Sequence, residues 1–241
     1  MEKGFILNLV VLFFIYSFIG WVWECIYESI LNRKLLNRGF LTGPYIPIYG
    51  FTGLIFYLFL SNFKTENLIS LDTIKVFIIS SICASIFEYV TSYVLEKILN
   101  ARWWDYSNYP LNLNGRICLI ASLFWGFVSV VIINIVNPKL EVLLGFLHRE
   151  FKLCLASSLI TLFVLDLFVT INSITDLYNR LALLIVLETT KTYGSIKGRL
   201  LRVSNPFTTR IITSFPKMKF TSEQMQLSLQ KLRELMQDKR K

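Results

Sequence analysis

The sequence predicts an all-α polytopic membrane protein with about five transmembrane helices, and three observations carry that expectation. Of its 241 residues 54% are hydrophobic and only 17% charged, too apolar for an ordinary soluble domain. A helix needs roughly 20 mostly apolar residues to cross the hydrocarbon core, and five stretches qualify: Gly4–Trp23, Ile46–Phe63, Ile74–Leu95, Ile117–Val136 and Leu153–Ile174. Third, the net charge of +9 is unevenly placed: residues 1–173 carry 12 Lys+Arg against 11 Asp+Glu, and residues 174–241 carry 13 against 5. The division follows as a transmembrane domain over 1–174 and a basic tail over 175–241.

The first stretch is too long for the apolar region of a signal peptide, and no small-residue cleavage site follows it, so it reads as a retained helix. The basic tail sets the orientation. By the positive-inside bias it belongs in the cytoplasm, which places the amino terminus outside after five crossings. Anionic headgroups would attract the same cations.

After the first helix the segment Asn32–Gly50 carries Gly39, Gly43, Pro44, Pro47 and Gly50, five residues that oppose a regular helix and predict a backbone bend. Irregular backbone at membrane depth needs protein or a watery cavity to satisfy its polar groups. Two readings fit: a re-entrant or broken helix, and a tight loop at the interface. Between the third and fourth helices, Asn100–Arg116 combines Trp103, Trp104 and Tyr106 with arginine and asparagine, a mixture suited to anchoring at a headgroup boundary or to holding a ligand there.

The two stretches resemble each other. An offset of 64 residues pairs Ser17 with Ser81, Glu24 with Glu88, Leu31 with Leu95, Arg38 with Arg102 and Tyr45 with Tyr109. Both read as helix, glutamate, arginine-bearing loop, helix. With the first and third helices running the same way, such repeats would be parallel, related by an axis along the membrane normal.

Carboxylates inside a membrane are costly and mark functional sites. Glu24 closes the first helix, while Glu88 and Asp166 lie inside the third and fifth. Arg38, Arg102 and Arg116 are the expected partners, since a guanidinium can grip a carboxylate with two parallel hydrogen bonds. Paired, the acids brace the bundle; unpaired, they can exchange protons. Asp105, Arg102, Arg116 and Tyr106 also form a set able to meet a phosphorylated headgroup. That sets a lipid-headgroup binder or intramembrane enzyme, and a scaffold acting through its tail, beside a polar transport path.

Conventional catalysis finds little support. His148 is the only histidine, which weakens histidine-based metal sites and Ser-His-Asp triads. Cys25, Cys83, Cys118 and Cys154 lie in or beside apolar stretches without a Cys-x-x-Cys spacing and read as packing residues. Gly194–Arg199 lacks the glycine spacing and the Lys-Ser/Thr pair of a phosphate-binding loop. No enzyme, cofactor or nucleic-acid partner is expected. Within the tail, Leu181–Leu187 reads as a helix lying in the interface or against the bundle, residues 191–220 as a basic linker, and Thr221–Gln224 as a capping box. The box opens an amphipathic helix with Met225, Leu229, Leu232 and Met236 on one face.

The runs Gly20–Ser29, Asn37–Gly50, Trp103–Tyr106 and Asn114–Leu119 resemble the bacterial CmpB-like family of ABC-transporter permeases, type IV, over roughly residues 5–175. The resemblance implies a multi-pass, permease-like protein of the bacterial plasma membrane whose nucleotide-binding motor would be a separate polypeptide, and it supplies no substrate and no catalytic residue.

Overall fold

The computed structural model describes residues 2–60, 71–189 and 206–238. Helix α1 covers Glu2–Leu31, α2 Pro47–Ile55 and α3 Leu71–Leu99. Helix α4 covers Leu119–Val131, α5 Asn137–Phe146 and α6 Arg149–Thr189. Among the described residues four segments are long and apolar enough to cross a membrane: Gly4–Leu31, Asp72–Leu99, Leu119–Phe146 and Arg149–Val186. The second expected span appears as a shorter apolar helix, Pro47–Leu58. Pro47 sits in its first turn, where a missing N–H costs nothing, and Ile46 before it is extended. Residues 61–63 of that expected span lie outside the described residues. Isoleucine, leucine, valine and phenylalanine cover much of the outer face of α3 and α6, with Ile82, Ile86, Leu165 and Phe168 exposed. Water would not tolerate so large an apolar surface, whereas lipid is its matching solvent. Between the helices the buried side chains are often small and polar, including Ser17, Ser80, Ser129, Thr170 and Ser173, which lets backbones approach closely.

The internal repeat is visible in the packing. α1 packs on α2 with Ser17 Oγ facing Gly50, and α3 packs on α4 with its counterpart Ser81 Oγ facing Gly126. A Cβ added to either glycine would stand 2.3 Å and 2.2 Å from the respective hydroxyl oxygen. Both second helices widen into a π-helical turn, at Phe56–Leu60 and at Ile132–Val136. Trp23 stacks on Phe124 of the other repeat, and its counterpart Phe87 meets Phe51. The offset between repeats is 64 residues in the first helices and 76 in the second, because the second loop is longer. That loop holds two short antiparallel pairings, β2 (Asn112–Leu113) with β3 (Ile117–Cys118), and β1 (Ala101–Arg102) with a strand of the tail.

Helix α6 runs parallel to α1: Lys152 Nζ donates to Asn8 Oδ1 at 2.9 Å near their starts, and Phe163 meets Phe13 and Phe14 further along. With 41 residues it is about 60 Å long, twice a hydrocarbon core of about 30 Å. It therefore crosses residue 174 unbroken, and the separate helix expected at Leu181–Leu187 is its continuation. Leu177, Leu181 and Leu184 on that continuation join Ile211, Ile212, Met218, Leu229 and Leu232 in the largest buried cluster among the described residues. Residues 206–220 are thus more than a linker: α7 (Pro206–Ser214) and β4 (Lys219–Phe220) fold onto the bundle, while 190–205 lie outside the described residues. The last helix, α8 (Glu223–Asp238), buries Leu229 and Leu232 with Met225 and Met236 packed beside them. Its entry differs from the expected capping box. Thr221 turns to the Asn100 carbonyl, and Gln226 Oε1 accepts the Phe220 N–H at 2.8 Å.

Candidate functional site at the repeat interface

Glu24 and Glu88 occupy equivalent places, and each faces the residue that precedes its repeat's helix-packing glycine. Tyr49 OH donates to Glu24 Oε1 at 3.0 Å; in the second repeat Trp125 stands against Glu88. Tyr49 and Trp125 in turn touch across the interface, ring centroids 5.0 Å apart. The glycines set this arrangement, because only a residue without Cβ lets the second helix come close enough for its neighbour to reach the acid.

The electrostatics of the two acids diverge. Arg38 Nε donates to Glu24 Oε2 at 3.3 Å, and its Nη2 lies 3.6 Å from Glu28. Glu88 meets no cation within pairing distance among the described residues. Its Oε1 accepts from Tyr106 OH at 3.1 Å, its Oε2 has no hydrogen-bond partner, and the residue is 7% exposed. Burial first, then the nearby Glu88 and Glu24 carboxylates, push the Tyr106 phenol far above its ordinary range, so this hydroxyl acts as a donor.

The expected pairing of Glu88 with Arg102 or Arg116 does not occur. Both guanidiniums go to Glu96, Arg102 Nε at 3.1 Å and Arg116 Nη1 at 2.8 Å. Glu96 lies two helical turns closer to the loop that carries both arginines, and its carboxylate accepts both. Arg116 Nη1 also reaches Ser92 Oγ at 3.2 Å, and its guanidinium sits over the rings of Tyr89 and Tyr93. Asp105 faces the tail. Although burial acts to raise it, hydrogen bonds from Lys219 Nζ, at 2.5 Å, and from Ser107 hold its carboxyl at about 2.

Asp166 keeps separate company. Its carboxylate accepts the backbone N–H groups of Thr42 at 2.9 Å and Gly43 at 2.8 Å, and the Thr42 hydroxyl as well. The bend segment therefore lies deep against α6, and Ile46 N donates to the Ser17 carbonyl of α1 at 3.0 Å. Protein groups satisfy this irregular backbone, as a low-dielectric setting requires. Gly39 supplies a φ of +121° there. Gly50 differs from the expected bend residue, since it lies inside α2 and serves helix packing.

The tail binds both loops. Arg38 Nη1 donates to the Ser214 carbonyl, Ser214 Oγ to the Asn37 carbonyl at 2.5 Å, and Arg210 to the Gly39 and Leu41 carbonyls. Burial lowers Arg210 from its ordinary value, partly offset by the Asp166 charge. On the other loop β4 pairs with β1, and Thr221 N donates to Asn100 O at 3.0 Å. Trp103, expected at a headgroup boundary, is buried edge-on between Phe40 and Phe215, each 4.9 Å away. Tyr106 points inward to Glu88. Sequence reasoning missed Tyr49 and Trp125 as neighbours of the acids. The signal that could have found them is the aromatic–glycine dipeptide common to both second helices.

A two-repeat helical bundle with lipid-matched faces and acids at the repeat interface defines an all-α polytopic membrane protein. The chain belongs to the family described as Putative ABC-transporter type IV, which matches residues 11–171. No curated protein and no solved structure matches.

Proposed function

We propose that the chain is a permease-like subunit of a transporter in the plasma membrane, its carboxyl-terminal cap in the cytoplasm, with a polar path running between the two repeats past Glu24 and Glu88. The observation that carries this reading is Glu88, a buried acid at a repeat interface with one oxygen unpartnered. A purely bracing role gives no reason to keep such a group, since an apolar residue of like size would cost less. Family membership supports the same reading. Arg102 and Arg116, the cations a headgroup would need, are already engaged by Glu96.

The energy source would be a separate nucleotide-binding subunit, since the sequence carries no phosphate-binding loop. That subunit would approach the cap, where the tail joins both loops. Purification of the full chain in mild detergent is expected to bring down a nucleotide-binding ATPase. Recovery of a clean, partner-free protein that still sustains its cellular phenotype would overturn the reading.

A further inference from the structure

Among the described residues Glu88 is the acid of the interface whose surroundings leave its charge unanswered. The groups that face it are Glu24 from α1, Tyr49 from α2, Tyr106 from the second loop and Trp125 from α4. None is a cation and one is a second carboxylate. Glu24 has Arg38 at 3.3 Å; Glu88 has only neutral donors beside it, the Tyr106 phenol on Oε1 and the Trp125 indole, and its Oε2 has no hydrogen-bond partner. A bare carboxylate moved out of water is so costly that such groups neutralise by taking a proton. The ligand set points the same way. Among the described residues no group of three or more His, Cys, Asp or Glu side chains gathers at the acid to hold a metal ion, whereas a proton needs a single carboxylate.

We propose that Glu88 is a proton-binding site of the closed repeat interface: its carboxyl carries a proton while the two repeats pack as seen here and releases it to water when they part. The step balances simply. The Oε2–H bond breaks, the proton passes to entering water, and the carboxylate left behind stands near Glu24, where like charges hold the repeats apart until reprotonation. The inference rests on the permease reading for its use, naming the proton as the ion coupled to repeat motion, and it is tested without any partner subunit.

Infrared spectroscopy of the full-length protein in lipid nanodiscs, titrated from acid to alkaline pH, reads the carboxylic-acid carbonyl band directly. A band persisting at neutral pH is expected, lost in Glu88→Gln and retained in Glu24→Gln. Its midpoint should move to lower pH in Glu24→Gln, because a neighbouring negative charge has gone. If Glu88→Gln fails to fold, Tyr106→Phe answers in its place. That variant removes the donor that favours the ionised form, and the midpoint should move to higher pH. Absence of a neutral-pH band in the wild type, or a band indifferent to both Glu88→Gln and Tyr106→Phe, overturns the proposal. A chain that binds an ATPase yet lacks the band keeps the permease reading and loses this one; a band without an ATPase does the reverse.

Discussion

The first repeat sets one arginine between two acids, Arg38 with Glu24 and Glu28, whereas the second sets one acid between two arginines, Glu96 with Arg102 and Arg116. The repeats share their helix packing, their serine–glycine contacts and their π-helical turns, yet their charge plans are inverted. Ser92 stands where the first repeat has Glu28, and Asn32 where the second has Glu96. The inversion leaves Glu88 alone although its counterpart Glu24 is paired. Two similar packing units thus hold two unlike sites: the backbone geometry is shared, and two polar differences one turn apart go with a different pairing of the cations.

The largest expected break comes at Arg38. Arg38→Ala strands two partly buried carboxylates and removes a tie to the tail, for a loss of about 3 kcal/mol or more. Arg102→Ala should cost only about 1 kcal/mol, because Arg116 still holds Glu96 at 2.8 Å. Denaturant unfolding of the detergent-solubilised variants measures both, and equal losses would erase the distinction between the repeats.

A second contrast sharpens the shared packing. Gly126→Ala would press a Cβ against the Phe77 backbone carbonyl at 2.9 Å as well as the Ser81 hydroxyl, whereas the neighbours of Gly50 are side-chain atoms of Ser17 and Phe13. Overpacking of this kind costs about 1–3 kcal/mol, with Gly126→Ala at the upper end and Gly50→Ala at the lower. Melting temperatures in that order would support the comparison, and the reverse order would count against it.

The smallest effect lies where the tail meets the second loop. Lys219→Ala should lose less than about 1 kcal/mol, since the lysine is mostly exposed. The sign with pH is definite. Asp105 is held at about 2 in the folded chain against an ordinary 3.8, so its contribution is present above about pH 4 and lost as pH falls toward 2. The stability gap between wild type and Lys219→Ala should close over that window, which an acid titration of unfolding would follow.

Much of the architecture could be read before folding was considered. Apolar runs such as Ile117–Val136 declare themselves, because crossing a bilayer demands length and hydrophobicity from consecutive residues. The matched glutamates and arginines at an offset of 64 pointed to the repeat. What could not be read was which guanidinium takes which acid. Arg102 and Arg116 were expected to serve the acids inside the spans, yet both take Glu96, a choice that depends on how deep each carboxylate lies relative to the loop. Trp103 misled for a related reason. Its aromatic ring suits a headgroup boundary and an internal core equally, and only the docked tail, with Phe215 against it, separates the two.

By itself the sequence determined the membrane class, the helices and the placement of three acids within or beside apolar spans, since all of these are properties of contiguous residues. The tertiary structure alone decided that α6 runs on to support a cap, that the tail ties both loops together, and that Glu24 is answered while Glu88 is not. Those outcomes depend on the relative depth and rotation of helices far apart in the chain, and electrostatic pairing at distances of 3–4 Å is sensitive to shifts that no local pattern records.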